Sequence, residues 1–332
     1  MKLSLITIVG LLILGSSNCR SQTRSKMESK NNNPLLCDIE TGMCEIPTGK
    51  VNDSIAGITQ STKKLVKVIY YTDPICSSCW GIEPQLRKLK LEYGNFIEIE
   101  YRMGGLLPDW SYSGGGISKP SDVAHHWDEV SVYYDMPIDG DVWLEDPLNS
   151  SHPPSIAFKA AQMQDNVKAI LFLREAREMV FLQKKNIAKW KHLEAAAKKV
   201  GLNVEQLKTD YEGKAKEFFQ DDLKLGKELG VRGFPAMFFV DDKGNTEFVY
   251  GTKPYSFYEA AVLKLAPTAS KNEYKKSWED LFTKYQTLTA KEFSELSGTG
   301  KKESEQLLNE LTAKGNLTKV VTKNGSLWKY LK

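Results

Sequence analysis

With 332 residues and 41% hydrophobic side chains, the chain is long enough to bury a full core as one large domain or two modest ones. Its 45 basic and 42 acidic residues leave a formal net charge of +3, a balance that implies neither nucleic acid nor an acidic membrane surface as partner. Lys2, the almost wholly apolar run 3–14 and the small polar exit Gly15, Ser16, Ser17 and Asn18 read as an export signal over 1–19. That run is too short to span a bilayer, which takes about twenty apolar residues, and no later stretch approaches that length, so the mature protein is not expected to be integral. Cys19 sits where bacterial lipoproteins carry their acylated cysteine, although Ser16 stands where Leu or Val is usual. Lipidation at Cys19, simple cleavage and an uncleaved apolar terminus are the alternatives. The expected location is the cell envelope or periplasm, with membrane attachment by lipid at Cys19.

Residues 20–61 are rich in Ser, Asn, Lys, Thr and Gly and lack apolar periodicity, which predicts a flexible tether. Five cysteines occur, and with Cys19 acylated or removed, Cys37, Cys44, Cys76 and Cys79 leave an even count suited to an oxidising compartment. A local disulfide is expected between Cys37 and Cys44, with two alternatives: electron exchange with Cys76 and Cys79, or a zinc site made by all four. The six-residue spacing of the first pair is wider than a usual zinc knuckle, so no metal is expected.

The β-branched and aromatic run 65–72 predicts a buried strand stopped by Asp73 and Pro74. It feeds directly into Cys76 and Cys79, after which Trp80, Ile82, Leu86, Leu89 and Tyr93 follow helical spacing as far as Gly94. Residues 96–102 alternate as a second strand, and strand, helix, strand favours a parallel pair with the cysteines at a strand's carboxyl end. A glycine-rich loop (104–116) and a mostly helical block (121–229) precede a hairpin, 236–240 and 246–250, turning on residues 241–245. A closing helix is expected over 255–265, ended by Pro267. The tail predicts helices at 278–285, 289–296 and 302–314, then a hairpin over 319–331 turning at Asn324 and Gly325. That order resembles a small winged-helix module, read here as a docking appendage because an exported protein meets no DNA.

Two cysteines separated by two residues at a helix start can close a small disulfide, and the helix amino end offers N–H groups and positive potential to a thiolate. Cys76 is therefore the expected nucleophile with a depressed pKa, and Cys79 the resolving thiol. Ser77 and Ser78 are expected to tune the redox poise through their hydroxyls.

The runs VIYYTDPICSSCW at 68–80 and GVRGFPAMFF at 230–239 resemble the DsbA-like thioredoxin family, over roughly residues 65–265. The resemblance implies an α/β, thioredoxin-like fold at 62–267 with a helical insertion at about 120–229; the α+β winged-helix-like module at 272–332, read from the order of its own elements, lies outside it. It also implies that Phe234-Pro235 is a cis-proline loop that packs against the cysteine pair and leaves the preceding backbone free to pair with substrate. The implied function is a protein-disulfide oxidoreductase or isomerase without a cofactor. Its partners are then exported proteins with cysteines and a redox partner protein, not nucleic acid. Ser77-Ser78 replaces the Pro-His of the best-known members. Trp80, Gly81, Ile82, Glu83 and Pro84 resemble a branch that also contains cytosolic protease adaptors and polyketide-associated isomerases. The alternative is accordingly a thioredoxin-fold binding adaptor whose cysteines are not catalytic.

His125 and His126 are neighbours and point to different helix faces, which argues against a shared metal, and His152 and His192 stand alone. Trp110, Tyr112, Trp127, Tyr133, Tyr134 and Trp143 are read as core, with an apolar client groove as the alternative. Ser155 and Ser297 lack a nucleophile-elbow setting, and no phosphate loop occurs.

Overall fold

The computed structural model describes residues 64–111 and 118–331, together with the backbone of 37–38 and 43–45. The export signal, Cys19 and Tyr112 lie outside the described residues. Two short strands, β1 (Cys37–Asp38) and β2 (Met43–Glu45), stand inside the stretch read from sequence as a tether. The difference has a physical reason: these residues gain their hydrogen bonds from a strand some 190 positions downstream, a pairing that local composition does not encode.

The central sheet has the order β4-β3-β6-β7. Strand β3 (Val66–Thr72) is its buried middle, parallel to β4 (Ile97–Met103) and antiparallel to β6 (Ala236–Asp241), which in turn pairs with β7 (Thr246–Tyr250). Being covered on both faces, β3 reads as a nearly continuous apolar run. Between β3 and β4 lie α1 (Ser77–Gly81) and α2 (Glu83–Tyr93), two helices rather than the single one expected. Pro84 cannot donate a backbone hydrogen bond, so it fits the first turn of a new helix and not the interior of a continuous one.

Seven helices follow: α3 (Pro120–Tyr134), α4 (Val142–Glu145), α5 (His152–Gln164), α6 (Asn166–Leu182), α7 (Trp190–Lys199), α8 (Val204–Glu212) and α9 (Ala215–Glu228). Strand β5 (Gly233–Phe234) and β6 flank Pro235, and α10 (Tyr255–Leu265) closes the unit. The fold is thioredoxin-like with a helical insertion. Trp127 and Trp143 are buried and meet edge to face at 5.2 Å, Trp110 packs on Trp143 at 5.9 Å, and Tyr133 is half exposed, so these aromatics mainly build core.

The carboxy-terminal module has its own apolar core around Phe282, Phe293, Leu308 and Trp328. It comprises α11 (Trp278–Lys284), β8 (Thr287–Thr289), α12 (Ala290–Ser297), α13 (Lys301–Ala313), β9 (Leu317–Thr322) and β10 (Gly325–Tyr330), with sheet order β8-β10-β9. Among the described residues no helix is long and apolar enough to cross a membrane.

Candidate functional site

Strand β3 delivers Thr72 and Asp73 to the end of the sheet, and the chain then turns so that Cys76 caps α1. Cys76 has extended backbone (φ −75°, ψ 109°), and its Sγ accepts a hydrogen bond from the Cys79 amide at 3.1 Å. The turn is fixed by the Asp73 carboxylate, which accepts from the Ile75 amide at 3.0 Å, the Leu106 amide at 2.8 Å and the Ser151 hydroxyl at 2.9 Å. Burial raises the Asp73 carboxyl to about 6 in spite of those donors.

Beneath the pair lies Arg177 of α6, fully buried. Its guanidinium donates to the Thr72 hydroxyl at 2.6 Å and to the Asp73 carbonyl at 3.2 Å, and pairs with Glu83 at the start of α2. Burial, a hydrogen bond shared with Cys79 and the charge of Cys79 push the Cys76 thiol well up. Burial opposes ionisation of Cys79 as well, but its hydrogen bond with Cys76, the charge of Arg177 and the contact with Thr72 bring that thiol down. The two sulfurs therefore titrate as a unit. The hydrogen bond from Cys76, the charge of Arg177 and the contact with Thr72 all favour a charge on this buried pair, which burial opposes. Both sulfurs are fully buried.

Ser77 and Ser78 are buried, and the Ser78 hydroxyl shares a 2.6 Å hydrogen bond with Tyr134 of α3. A Cβ on Gly81 would stand 2.6 Å from the Tyr134 ring, so a glycine is needed there for close approach. The Phe234–Pro235 peptide is cis. The pairing of Tyr71 with Ala236 puts Pro235 level with Thr72, and the Phe234 ring lies over Gly104, where a Cβ would come within 1.7 Å. Phe234 and Pro235 thus stand at the end of β3 from which the chain runs on to the cysteines. Cys37 and Cys44 face each other in the β1–β2 register, a placement whose Cα spacing is compatible with a disulfide. Their side chains lie outside the described residues, as does the zinc alternative. His125 is exposed and lies 3.1 Å from Glu129, while His126 is buried and 4.0 Å from the same carboxylate. Among the described residues no cluster of His, Cys, Asp and Glu is arranged to hold a metal.

The sequence reading missed Arg177, Arg174, Glu83 and Glu292. The available signal was chemical: Arg174, Glu175, Arg177 and Glu178 interrupt an otherwise apolar run (169–182), and the i, i+3, i+4 spacing of Arg174, Arg177 and Glu178 sets opposite charges side by side on one helix face. A second signal was Thr289 followed three residues later by Glu292, a capping box, which forms with bonds of 2.8 and 3.1 Å.

Comparison with known proteins adds three findings. The family model Thioredoxin_5, described as "Thioredoxin", matches residues 70–260. The "ClpXP adapter protein SpxH" of Halalkalibacterium halodurans is 32% identical over 305 residues, covering 90% of this chain and 98% of that protein. Proteins of the same description from Shouchella clausii and Bacillus subtilis are 29% and 28% identical, covering 92% and 81% of this chain and 100% and 90% of theirs. Among solved structures, a putative protein disulfide isomerase from Nitrosomonas europaea is 20% identical at a TM-score of 0.52, covering 62% of this chain and 97% of its own, a likeness of fold alone.

These relatives overturn the expectation of an enzyme, a protein-disulfide oxidoreductase or isomerase, and of a periplasmic lipoprotein. Exported cysteine proteins, a redox partner protein and lipid attachment at Cys19 fall with it as the expected partners.

Proposed function

This chain belongs to the DsbA-like thioredoxin-fold family and, within it, to the family of the SpxH adapters, and from that premise we propose that it is a protease adaptor that brings client proteins to ClpXP. The observation that carries the reading is the extent of the likeness. A match over 305 residues cannot be confined to the thioredoxin-like region at 70–260, so it takes in architecture beyond that region.

The physical design suits a binding protein. The module is held to the thioredoxin-like domain by a buried ion network: Glu292 accepts from Arg174 at 2.7 and 3.0 Å and lies 3.2 Å from Arg87, which donates to the Thr287 carbonyl at 2.9 Å. A second seam joins Lys323 to Asp128 and Asp141, and Asn324 to Asp128 and the Ile138 carbonyl. Paired and hydrogen-bonded charges of this kind fix one relative orientation, which an adaptor presenting a client needs. The cysteine pair and Arg177 then serve as buried structure joining β3, α1, α2 and α6.

The test is a proteolytically dead ClpXP trap in cells with and without the chain. The proposal expects a set of proteins captured only when the chain is present. Identical trap contents in both strains would refute it.

A further inference from the structure

Strand β4 is an outer strand of the central sheet: β3 pairs with one side of it and, among the described residues, no strand pairs with the other. The alternation of the ladder fixes which groups that leaves open. The Gly104 amide donates to the Thr72 carbonyl of β3 at 2.8 Å, whereas the Met103 amide turns outward and donates to the Asp222 carboxylate at 2.9 Å. Counting back by twos, Tyr101 and Ile99 also present their N–H and C=O outward, with no strand to meet them. Their side of β4 borders a cleft of about 620 Å³ between residues 98–102 and three helices, lined by Lys159 and Met163 of α5, Ile170 of α6, and Lys214 and Phe218 of α9.

The charges in this cleft are unevenly matched. Glu100 is held by Lys67 and Arg102, and the buried Asp222 takes Arg102 at 2.8 Å and Lys159 at 2.9 Å. Lys214 pairs with no carboxylate among the described residues, and its ammonium lies 5.3 Å over the Phe218 ring. Arg102 Nε is buried without an acceptor. Glu98 is exposed at the amino end of β4, about 13 Å along the strand from Arg102, and leaves the far end of the cleft cationic.

We infer that this cleft binds an extended acidic segment of a partner protein, which adds a strand to the outer edge of β4. Two complementarities identify the occupant. Ile99 and Tyr101 offer alternating donors and acceptors that extended backbone matches, and carboxylates on such a segment meet Lys214 and Arg102 Nε. A second copy is the poorer fit, because its β4 lies between the same helical walls and two walled edges cannot close to the ~4.8 Å of paired strands. The site lies on the far side of β3 from β6 and Pro235. It goes beyond the adaptor reading and holds whether or not the segment belongs to a client of a protease.

Fluorescence anisotropy on the full-length chain tests the inference, with a short fluorescein-labelled peptide in which valine alternates with glutamate. Binding is expected, and at least about fivefold weaker in Lys214→Glu and in Ile99→Pro, which removes an outward amide that the β3 ladder does not use. Saturating peptide is expected to slow hydrogen exchange at the Ile99 and Tyr101 amides at least about fivefold. No binding, equal binding of a counterpart with lysine for glutamate, or unchanged affinity in Lys214→Glu overturns the inference. So does binding that leaves the two amides exchanging at their former rate, a measurement on the native chain that decides even if Ile99→Pro does not fold. A native dimer in sedimentation that Ile99→Pro converts to monomer would assign the edge to a second copy and overturn it as well.

Discussion

Arg174 and Glu292 meet in a two-point ion pair, with Nη1 and Nη2 at 2.7 and 3.0 Å from the two carboxylate oxygens, although one belongs to the inserted helices and the other to the carboxy-terminal module. Glu292 is fully buried, and Arg174 also stacks on Trp80, next to Cys79, at 4.4 Å. The pair ties the module to the helix carrying the cysteines. Replacing Glu292 by Ala leaves Arg174 with Glu178 alone and Arg87 with only the more distant Glu83, which is expected to cost about 3 kcal/mol in urea unfolding. A loss below about 1 kcal/mol, the range of an exposed pair, would show that the seam is solvated.

Two carboxyl groups give the chain opposite pH responses. Burial opposes the charge of Glu292, but Arg174 and Arg87 outweigh it and hold the group below its ordinary 4.5. Its stabilisation is therefore present above 4.5 and is lost as pH falls through the lower, folded value. Asp73 is raised from 3.8 to about 6, so its contribution is fully present below 3.8 and is lost as pH rises through about 6. That swing amounts to about 3 kcal/mol. Unfolding midpoints across pH 3 to 8 should lose the slope between about 4 and 6 in Asp73→Asn, and the acid limb in Glu292→Gln. An unchanged profile in both variants contradicts these assignments.

Gly104→Ala places a methyl group 1.7 Å from the Phe234 ring, and such overpacking typically costs about 1–3 kcal/mol. Phe234→Leu in the same chain should recover part of that loss. Additive effects in the double variant would mean that the two residues do not touch.

Much of the fold was legible because its elements follow local rules. The apolar run ending at Thr72 is a strand buried on both faces, and the helical spacing after Cys79 and the closing helix Tyr255–Leu265 each bury one face of a regular element. Strand β8 was not legible. Its three residues, Thr287, Leu288 and Thr289, run straight into a helix cap and gain strand geometry only by pairing with Leu327, Trp328 and Lys329. The β1–β2 hairpin escaped for the same reason, its partner lying at Phe234. The cysteine pair was easy to find and its role was not, since a Cys-Ser-Ser-Cys turn reads the same whether its sulfurs meet a client or a protein wall. That distinction rests on Arg177 and the Phe234 edge, which are distant in sequence from the cysteines.

The amino terminus offers a separate check. An adaptor for a cytosolic protease keeps Met1 or Lys2 at its amino end and stays in the cytosolic fraction. Mass spectrometry of the first peptide after fractionation should find residues 1–19 retained. A mature chain beginning at Cys19 in the membrane fraction would separate it from the proposed partner.

Degradation of a trapped client by purified ClpXP, with and without the full chain, tests the adaptor role most directly when Cys76→Ser/Cys79→Ser is run beside the native protein. The account predicts that the native chain shortens the client's half-life at least about tenfold, the effect of a coupling free energy of about 1.4 kcal/mol. The double serine variant should do so within about twofold, since serine keeps the size of the side chain and abolishes only thiol chemistry. No acceleration by the native chain, or acceleration that disappears with the two sulfurs, would contradict it.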